Sequence, residues 1–147
     1  MRRSGFTLVE TLLVVVVAGV ILAIGFPRMR DAKIRSDLRS ARTTMASMYA
    51  RARAAAVQTN RVSTMTINGN TVVVTVPRVP VAGANTIDTV GAVQNLLTSY
   101  GATIAATNNA LVVDPRGIGV NGDQVTIRLS RDGYTDSVVV SRFGRIQ

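Results

Sequence analysis

The chain has no cysteine and no histidine among its 147 residues. Those two absences exclude disulfides, thiol nucleophiles and most zinc sites, and they remove the usual imidazole base. Lysine is nearly missing as well: of the 17 basic residues, only Lys33 is not an arginine. Aromatic side chains make up 4% of the chain, so the core must be built from Val, Ala, Leu, Ile and Met. Any folded part outside the cytoplasm is then held by packing alone. Eight acidic residues against the 17 basic ones leave a formal charge of +9. Such a charge suits nucleic acid, anionic lipid or an acidic protein partner, and does not choose among them. At this length there is room for one domain and an appendage.

What the chain has in quantity is a hydrophobic run. Phe6 to Phe26 spans 21 residues, about 31 Å as a helix, which matches the hydrocarbon core of a bilayer. A cationic head, Met1-Arg2-Arg3-Ser4-Gly5, precedes it, and Glu10 interrupts it early. A charged side chain inside a bilayer costs about 2.5–3.5 kcal/mol on insertion scales, so it is kept where it has a partner and a use. A secretory signal peptide would need a core of roughly 7–15 residues and a small-x-small cleavage site. The core here is longer, carries Glu10 and runs into a further helical segment. A plain signal anchor explains the length but neither Glu10 nor the Gly5-Phe6 junction. Arg2-Arg3 is only a weak match to a twin-arginine signal.

The stretch Gly5-Phe6-Thr7-Leu8-Val9-Glu10-Thr11-Leu12 resembles the N-terminus of type IV prepilins and type II secretion pseudopilins. The resemblance implies cleavage between Gly5 and Phe6 by a prepilin peptidase, followed by N-methylation of the new Phe6 amine. It also implies that Glu10 acts in filament assembly and that Pro27 is a helix-bending proline. The physics agrees. A cationic amine at Phe6 and a carboxylate at Glu10 lie four residues apart on one helix face, and pairing recovers part of the desolvation cost of both. The pair can close within one subunit or between neighbours in a filament. Against this orientation, Arg28, Arg30, Lys33 and Arg35 beyond the run outweigh Arg2 and Arg3, and positive-inside counting would point the chain the other way. The cleavage motif takes precedence here.

From Arg28 to about Gln58 the apolar period is helical. Ile34, Leu38, Ala41, Met45, Met48, Ala52 and Ala55 form one stripe, with Arg35, Arg39 and Arg42 on other faces. One helix is therefore expected from Phe6 to near Gln58, on the order of 80 Å long, bent around Pro27. Its amphipathic part reads as a helix packed on a sheet. The period then changes to two. Val62 to Asn68 alternates and Thr71 to Val76 is β-branched throughout, with Asn68-Gly69-Asn70 as a hairpin turn. Pro77, Pro80 and Gly83 open a long connection. A short helix is expected over Asp88–Tyr100, with Ile87, Val90, Val93, Leu97 and Tyr100 on one side and Gly101 as its stop. Further strands are expected at Ala102–Ala106 and Ala110–Val113, joined through Asn108-Asn109. Two more follow at Val125–Ser130 and Ser137–Arg142, turning at Arg131-Asp132-Gly133.

Val112-Val113-Asp114-Pro115-Arg116-Gly117, the paired strands Val125–Leu129 and Val138–Ser141, and the closing Gly144-Arg145-Ile146 are similar to the GspH/FimT subgroup of minor pseudopilins and minor pilins. The implied fold is an α+β, pilin-like one, a long N-terminal helix whose C-terminal half packs on antiparallel β-sheets. The expected organisation is a leader at residues 1–5, a transmembrane half-helix at 6–26, an amphipathic half-helix at 27–58 and a β-rich domain at 59–147.

Nothing in the sequence forms a catalytic constellation. Asp114, Asp123, Asp132 and Asp136 sit beside Gly, Pro or turn residues, where Asp serves loop geometry. Asp114-Pro115-Arg116-Gly117 and Asn121-Gly122-Asp123 read as turns, and one carboxylate does not make a calcium loop. Serine and threonine are plentiful, but Lys33 is the lone amine that could activate one. No enzyme activity and no cofactor are expected. Between Arg28 and Arg53 there are eight basic and two acidic residues, which reads as a solvated face near lipid headgroups.

Some FimT-type minor pilins are implied to bind DNA through arginines near a C-terminal Gly-Arg. The candidates here are Arg142 and Arg145, with Arg116, Arg128 and Arg131 as possible helpers; no second arginine follows Ile146, and Phe143 and Tyr134 make a thin stacking platform. The expectation is thus a structural minor pseudopilin or minor pilin in the inner (cytoplasmic) membrane, single-pass, with its C-terminal domain outside the cytoplasm. Its implied partners are other pseudopilins or pilins, a prepilin peptidase, an inner-membrane assembly platform and membrane lipid. Nucleic acid is the less favoured partner.

Overall fold

The computed structural model describes residues 7–78, 86–120, 122–141 and 143–147. The Pro80 and Gly83 connection, Asn121 and the Gly5-Phe6 junction lie outside the described residues, as does Arg142. The chain divides into two compact units, Met1–Arg35 and Ser36–Gln147. The first helix, α1 (Leu8–Thr59), belongs to both and is unbroken through Pro27.

In the first unit the described residues from Thr7 to Lys33 are exposed, apart from half-buried Gly25. Thr7 starts the helix. Its hydroxyl accepts from the Glu10 N–H at 3.3 Å, and its carbonyl accepts from the Thr11 N–H at 3.2 Å. A threonine three residues before a glutamate is an N-terminal capping pattern. Pro27 has no N–H to donate back to Ala23, so one helical bond is missing there.

In the second unit the stripe read from the sequence is the buried face of α1. Leu38, Ala41, Met45, Met48, Ala52 and Ala55 are all buried, and so are Tyr49 and Ala56 beside them. The helix ends in a left-handed cap. Asn60 has φ 52°, Arg61 N–H donates to the Ala56 carbonyl at 3.1 Å, and Asn60 N–H donates to the Val57 carbonyl at 3.4 Å. This pair of bonds satisfies carbonyls that a helix otherwise leaves open at its end.

Two antiparallel sheets follow. β1 (Ser63–Asn68) and β2 (Thr71–Pro77) form the expected hairpin, with Asn68 opposite Thr71. β3 (Ile87–Thr89) and β4 (Gln94–Asn95) both pair with β2, and β6 (Ala110–Val113) pairs with β1. The second sheet has the order β5 (Thr103–Ala106), β7 (Val125–Arg131), β8 (Tyr134–Val140). β7 and β8 turn on Asp132 and Gly133, with φ of 48° and 82°; two central residues at positive φ are what a tight type I′ hairpin requires. The inward rows are Met65 and Ile67, Val72, Val74 and Val76, Leu111 and Val113, Val125, Ile127 and Leu129, and Val138 and Val140. With the α1 stripe they make one core of small and medium apolar side chains. Burying each of the larger ones is worth about 1.5–3 kcal/mol.

Two sequence expectations need correction. The helix over Asp88–Tyr100 is a single short one, α2 (Leu96–Tyr100), capped by Asn95 and ending on Gly101. Residues 87–89 instead extend along the open edge of β2, and Gly91, at φ 79°, lies within the stretch expected to be helical. The supposed apolar face is not buried: Ile87, Val93 and Leu97 are exposed, while Leu96 is fully covered. The strands at Thr103–Ala106 and Ala110–Val113 follow one another through Asn108-Asn109 and belong to different sheets. The Asn108 carboxamide accepts from Ala110 N–H at 3.0 Å and helps carry the chain across. Second, the last strand begins at Tyr134 and ends at Val140, earlier than its expected Ser137–Arg142 limits, because the tight turn at Asp132-Gly133 pairs Tyr134 with Arg131 at once.

Candidate assembly and binding surfaces

Glu10 is exposed in the first turn of α1. The backbone N–H groups at a helix start carry partial positive charge, so a carboxylate there is stabilised by the helix itself. Every large apolar residue described from Leu8 to Ile24 is at least 50% exposed. Among the described residues, α1 is the one helix long and apolar enough to cross a membrane. This unit therefore presents an apolar cylinder with a single acid near its start, which is chemically suited to lipid and to a cationic partner.

In the second unit the arginines divide sharply in use. Arg131 is internal wiring. Its Nη1 donates to Asp37 Oδ2 at 2.6 Å and to the Tyr100 carbonyl at 2.5 Å, tying α1 to α2 and β7. The Tyr100 hydroxyl is hydrogen-bonded to Thr44 at 2.8 Å. Arg42 reaches Asp136 on β8 at 3.6 Å. Arg128 is exposed and sits in register between Ala105 and Ser137, at the middle of the second sheet. Arg145 is exposed on a closed turn: Gly144 N–H donates to the Ser141 carbonyl, Arg145 N–H to the Ser141 hydroxyl, and Ser141 N–H to the Arg145 carbonyl. Beyond it the chain folds back, with Ile146 bridged to Val140 and Gln147 bonded in both directions to Val139. Of the five arginines named from the sequence as DNA contacts, Arg131 is engaged inside the domain and Arg142 lies outside the described residues. Arg116, Arg128 and Arg145 are exposed.

Two residues that sequence reasoning passed over organise the C-terminal end. Tyr49 points its hydroxyl at two backbones: a methyl group on Gly144 would lie 2.5 Å from the phenolic oxygen, and one on Gly119 3.1 Å. Gly144 also has φ 78°, a region that glycine enters without penalty. Burial pushes the Tyr49 phenol above its ordinary value, with Arg53 pulling in the opposite direction. Arg53, one turn further along α1, donates through Nε to the Gly117 carbonyl at 2.8 Å and through Nη1 to the Gly144 carbonyl at 3.5 Å. Gly144 therefore serves loop seating whether or not Arg145 binds anything. Tyr49 and Arg53 are each a sequence neighbour of a stripe residue, Met48 or Ala52, and no local signal says which distant backbone groups they meet.

The turn at 114–118 is built as the sequence implied. Asp114 Oδ1 accepts from Arg116 N–H at 3.0 Å and from Ile118 N–H at 2.8 Å. Arg116 extends from it, 84% exposed, with Nε 3.7 Å from Asp114 Oδ2. Between this turn and the end of α1 lies an open groove of about 460 Å³, lined by Ala50, Arg53, Ala54, Val57, Gln58, Arg116 and Gly117. Among the described residues there is no cluster of three or more acids able to hold a metal ion.

A family model described as the prokaryotic N-terminal methylation motif matches residues 1–26. The described fold matches two crystal forms of the Pseudomonas aeruginosa (strain PAO1) type IV minor pilin FimU. One, in space group P21, has a TM-score of 0.58 at 19% identity and covers 77% of this chain and 88% of that one. The other, in space group P65, scores 0.57 at 19% identity and covers 75% and 90%. The chain has a pilin fold. A search of curated proteins by sequence gives no match. An N-terminal methylation motif thus precedes a pilin fold in this chain. The apolar half of α1 is long and apolar enough to serve as a membrane anchor.

Proposed function

We propose that this pilin-like chain is a minor pilin or minor pseudopilin, stored in the inner membrane and then drawn into a short filament near its tip. The observation that carries the reading is Glu10 in the first turn of an apolar, exposed helix, directly after a prepilin-type Gly5-Phe6 junction. Prepilin peptidase cuts at Gly5-Phe6, the new Phe6 amine is methylated, and Glu10 pairs with a cationic amine to set the subunit's register in the filament. The residue plan follows: leader 1–5, membrane half-helix 6–26, amphipathic half-helix 27–58, and domain 59–147 facing out of the cytoplasm. Other pilins or pseudopilins and the inner-membrane assembly platform are the partners, and protein secretion or pilus extension is the output.

The test is Glu10→Val in the full chain. Cleavage at Gly5 should proceed as in the wild type, since the junction is unchanged, while incorporation into sheared filaments should fall to background. Normal incorporation of the variant would remove Glu10 from the assembly role.

A second reading, DNA capture for natural transformation, is favoured by the exposed Arg145 turn and by Arg116 and Arg128. Detergent-solubilised full chain should then bind duplex DNA with an affinity that falls steeply as salt rises. Arg142→Ala with Arg145→Ala should weaken that binding; unchanged affinity in the double variant discards the C-terminal arginines as the contact.

A further inference from the structure

We propose that the groove between the C-terminal end of α1 and the 114–119 turn seats an acidic segment of a different pilin-type subunit, a carboxylate flanked by apolar side chains. The inference rests on the filament reading above and names the chemistry of one contact within it. The groove has an apolar wall, Ala50, Ala54 and Val57, and two guanidinium groups, Arg53 and Arg116. No carboxylate is among its lining residues.

Arg53 is already positioned. Its bonds to the Gly117 and Gly144 carbonyls use two of its five N–H groups and fix the plane of the remaining donors. A guanidinium held in place loses little side-chain freedom when a carboxylate arrives, which is the condition under which a charged contact adds affinity. Asp114, its Oδ2 3.7 Å from Arg116 Nε, offsets part of the charge there, while the bonds of Arg53 are to neutral carbonyls, so the groove keeps a positive balance.

The apolar surroundings point to protein. Val57, Ile118 and Phe143, on the segments that flank the groove, are 55%, 41% and 69% exposed. A nucleic-acid backbone calls for a rail of cations and gains little from such residues, whereas an interface core of aliphatic and aromatic side chains around an arginine is typical of protein contacts. A second copy of this chain is disfavoured by its own +9 charge, since like charges meeting at an interface oppose docking. An acidic neighbour supplies what is missing.

The experiment uses the full chain with a photo-reactive phenylalanine analogue at Ala54, in cells that make the rest of the filament machinery. Illumination should join Ala54 to a different pilin-type subunit, within a few residues of an Asp or Glu located by peptide mass. Arg116→Glu should lower the yield about tenfold, the scale expected for a partly desolvated charge pair. Exchanging the partner's acid for Lys should then restore it. A product with DNA, with a second copy, or with a segment lacking acids overturns the proposal, as does a yield indifferent to Arg116→Glu. Filaments sheared from the same cells separate the two levels: chain present in filaments without an Ala54 product overturns the groove alone, and chain absent from them overturns the filament reading and the groove with it.

Discussion

The two halves of α1 share one backbone geometry and have opposite relations to their surroundings. From Leu8 to Ile24 its large apolar residues are 50–79% exposed, whereas from Leu38 to Ala56 the buried stripe is at most 6% exposed. The first half is apolar all round; the second concentrates its apolar residues on one face and puts Arg39, Arg42, Arg51 and Arg53 on others. A helix apolar on every side needs a surrounding apolar medium, while a striped helix needs only one partner. The stripe finds its partner within its own domain. The all-round half is complete only in lipid or among other subunits, and that is why the functional reading belongs to it.

Core deletion should break this comparison most visibly. Met45→Ala empties a fully buried position under the sheets and should destabilise the domain by about 2–5 kcal/mol. Leu13→Ala, at a position 62% exposed, should leave the same transition unmoved. Thermal unfolding of detergent-solubilised full chain, followed through the β signal in circular dichroism, compares them directly. Equal effects would mean that the two halves are not energetically separate.

The same contrast explains what could be read in advance. The stripe, the Asn68-Gly69-Asn70 and Asp132-Gly133 turns and the N-terminal motif are local patterns, each complete within a few residues. The Asp88–Tyr100 helix failed because its apolar residues satisfy a helical spacing while the open edge of β2 offers hydrogen bonds that a helix would forgo. The groove was invisible for a related reason. Arg53 reads as one more solvated arginine until Gly117 and Gly144, 64 and 91 residues away in sequence, come to meet it.

Gly144→Ala sharpens the comparison at the helix–loop end. The added methyl would lie 2.5 Å from the Tyr49 hydroxyl at a φ of 78°, combining a close contact with a left-handed backbone. A loss of about 1–3 kcal/mol is expected. Arg145→Ala beside it should change stability by less than about 0.5 kcal/mol, as an exposed substitution. If the two variants unfold alike, the Gly-Arg pair is not divided into a structural and a surface residue.

Ser63 tests the core from the other side. It is buried, at 0% exposure, on the inward row of β1, and its hydroxyl has no hydrogen-bond partner among the described residues. An unpaired buried hydroxyl costs about 1–3 kcal/mol. Ser63→Ala should therefore match the wild type or raise its unfolding midpoint, where most core changes lower it. A clear fall would show that the hydroxyl has a bonding partner in solution.

The smallest effect is expected from Tyr49, where the stripe half of α1 meets the C-terminal turn. Burial favours the neutral phenol, so its pKa in the folded domain lies above the ordinary value, which is about 10. Stability from this group is fully present below pH ~10 and is lost as pH climbs through the folded value, since the unfolded chain releases its proton first. A late rise in tyrosinate absorbance that coincides with loss of the β signal is accordingly expected from Tyr49. Tyr49→Phe should abolish that late rise and flatten the alkaline stability profile. A wild-type titration with no tyrosinate rise at unfolding would place the Tyr49 hydroxyl in water, away from the Gly119 and Gly144 backbones.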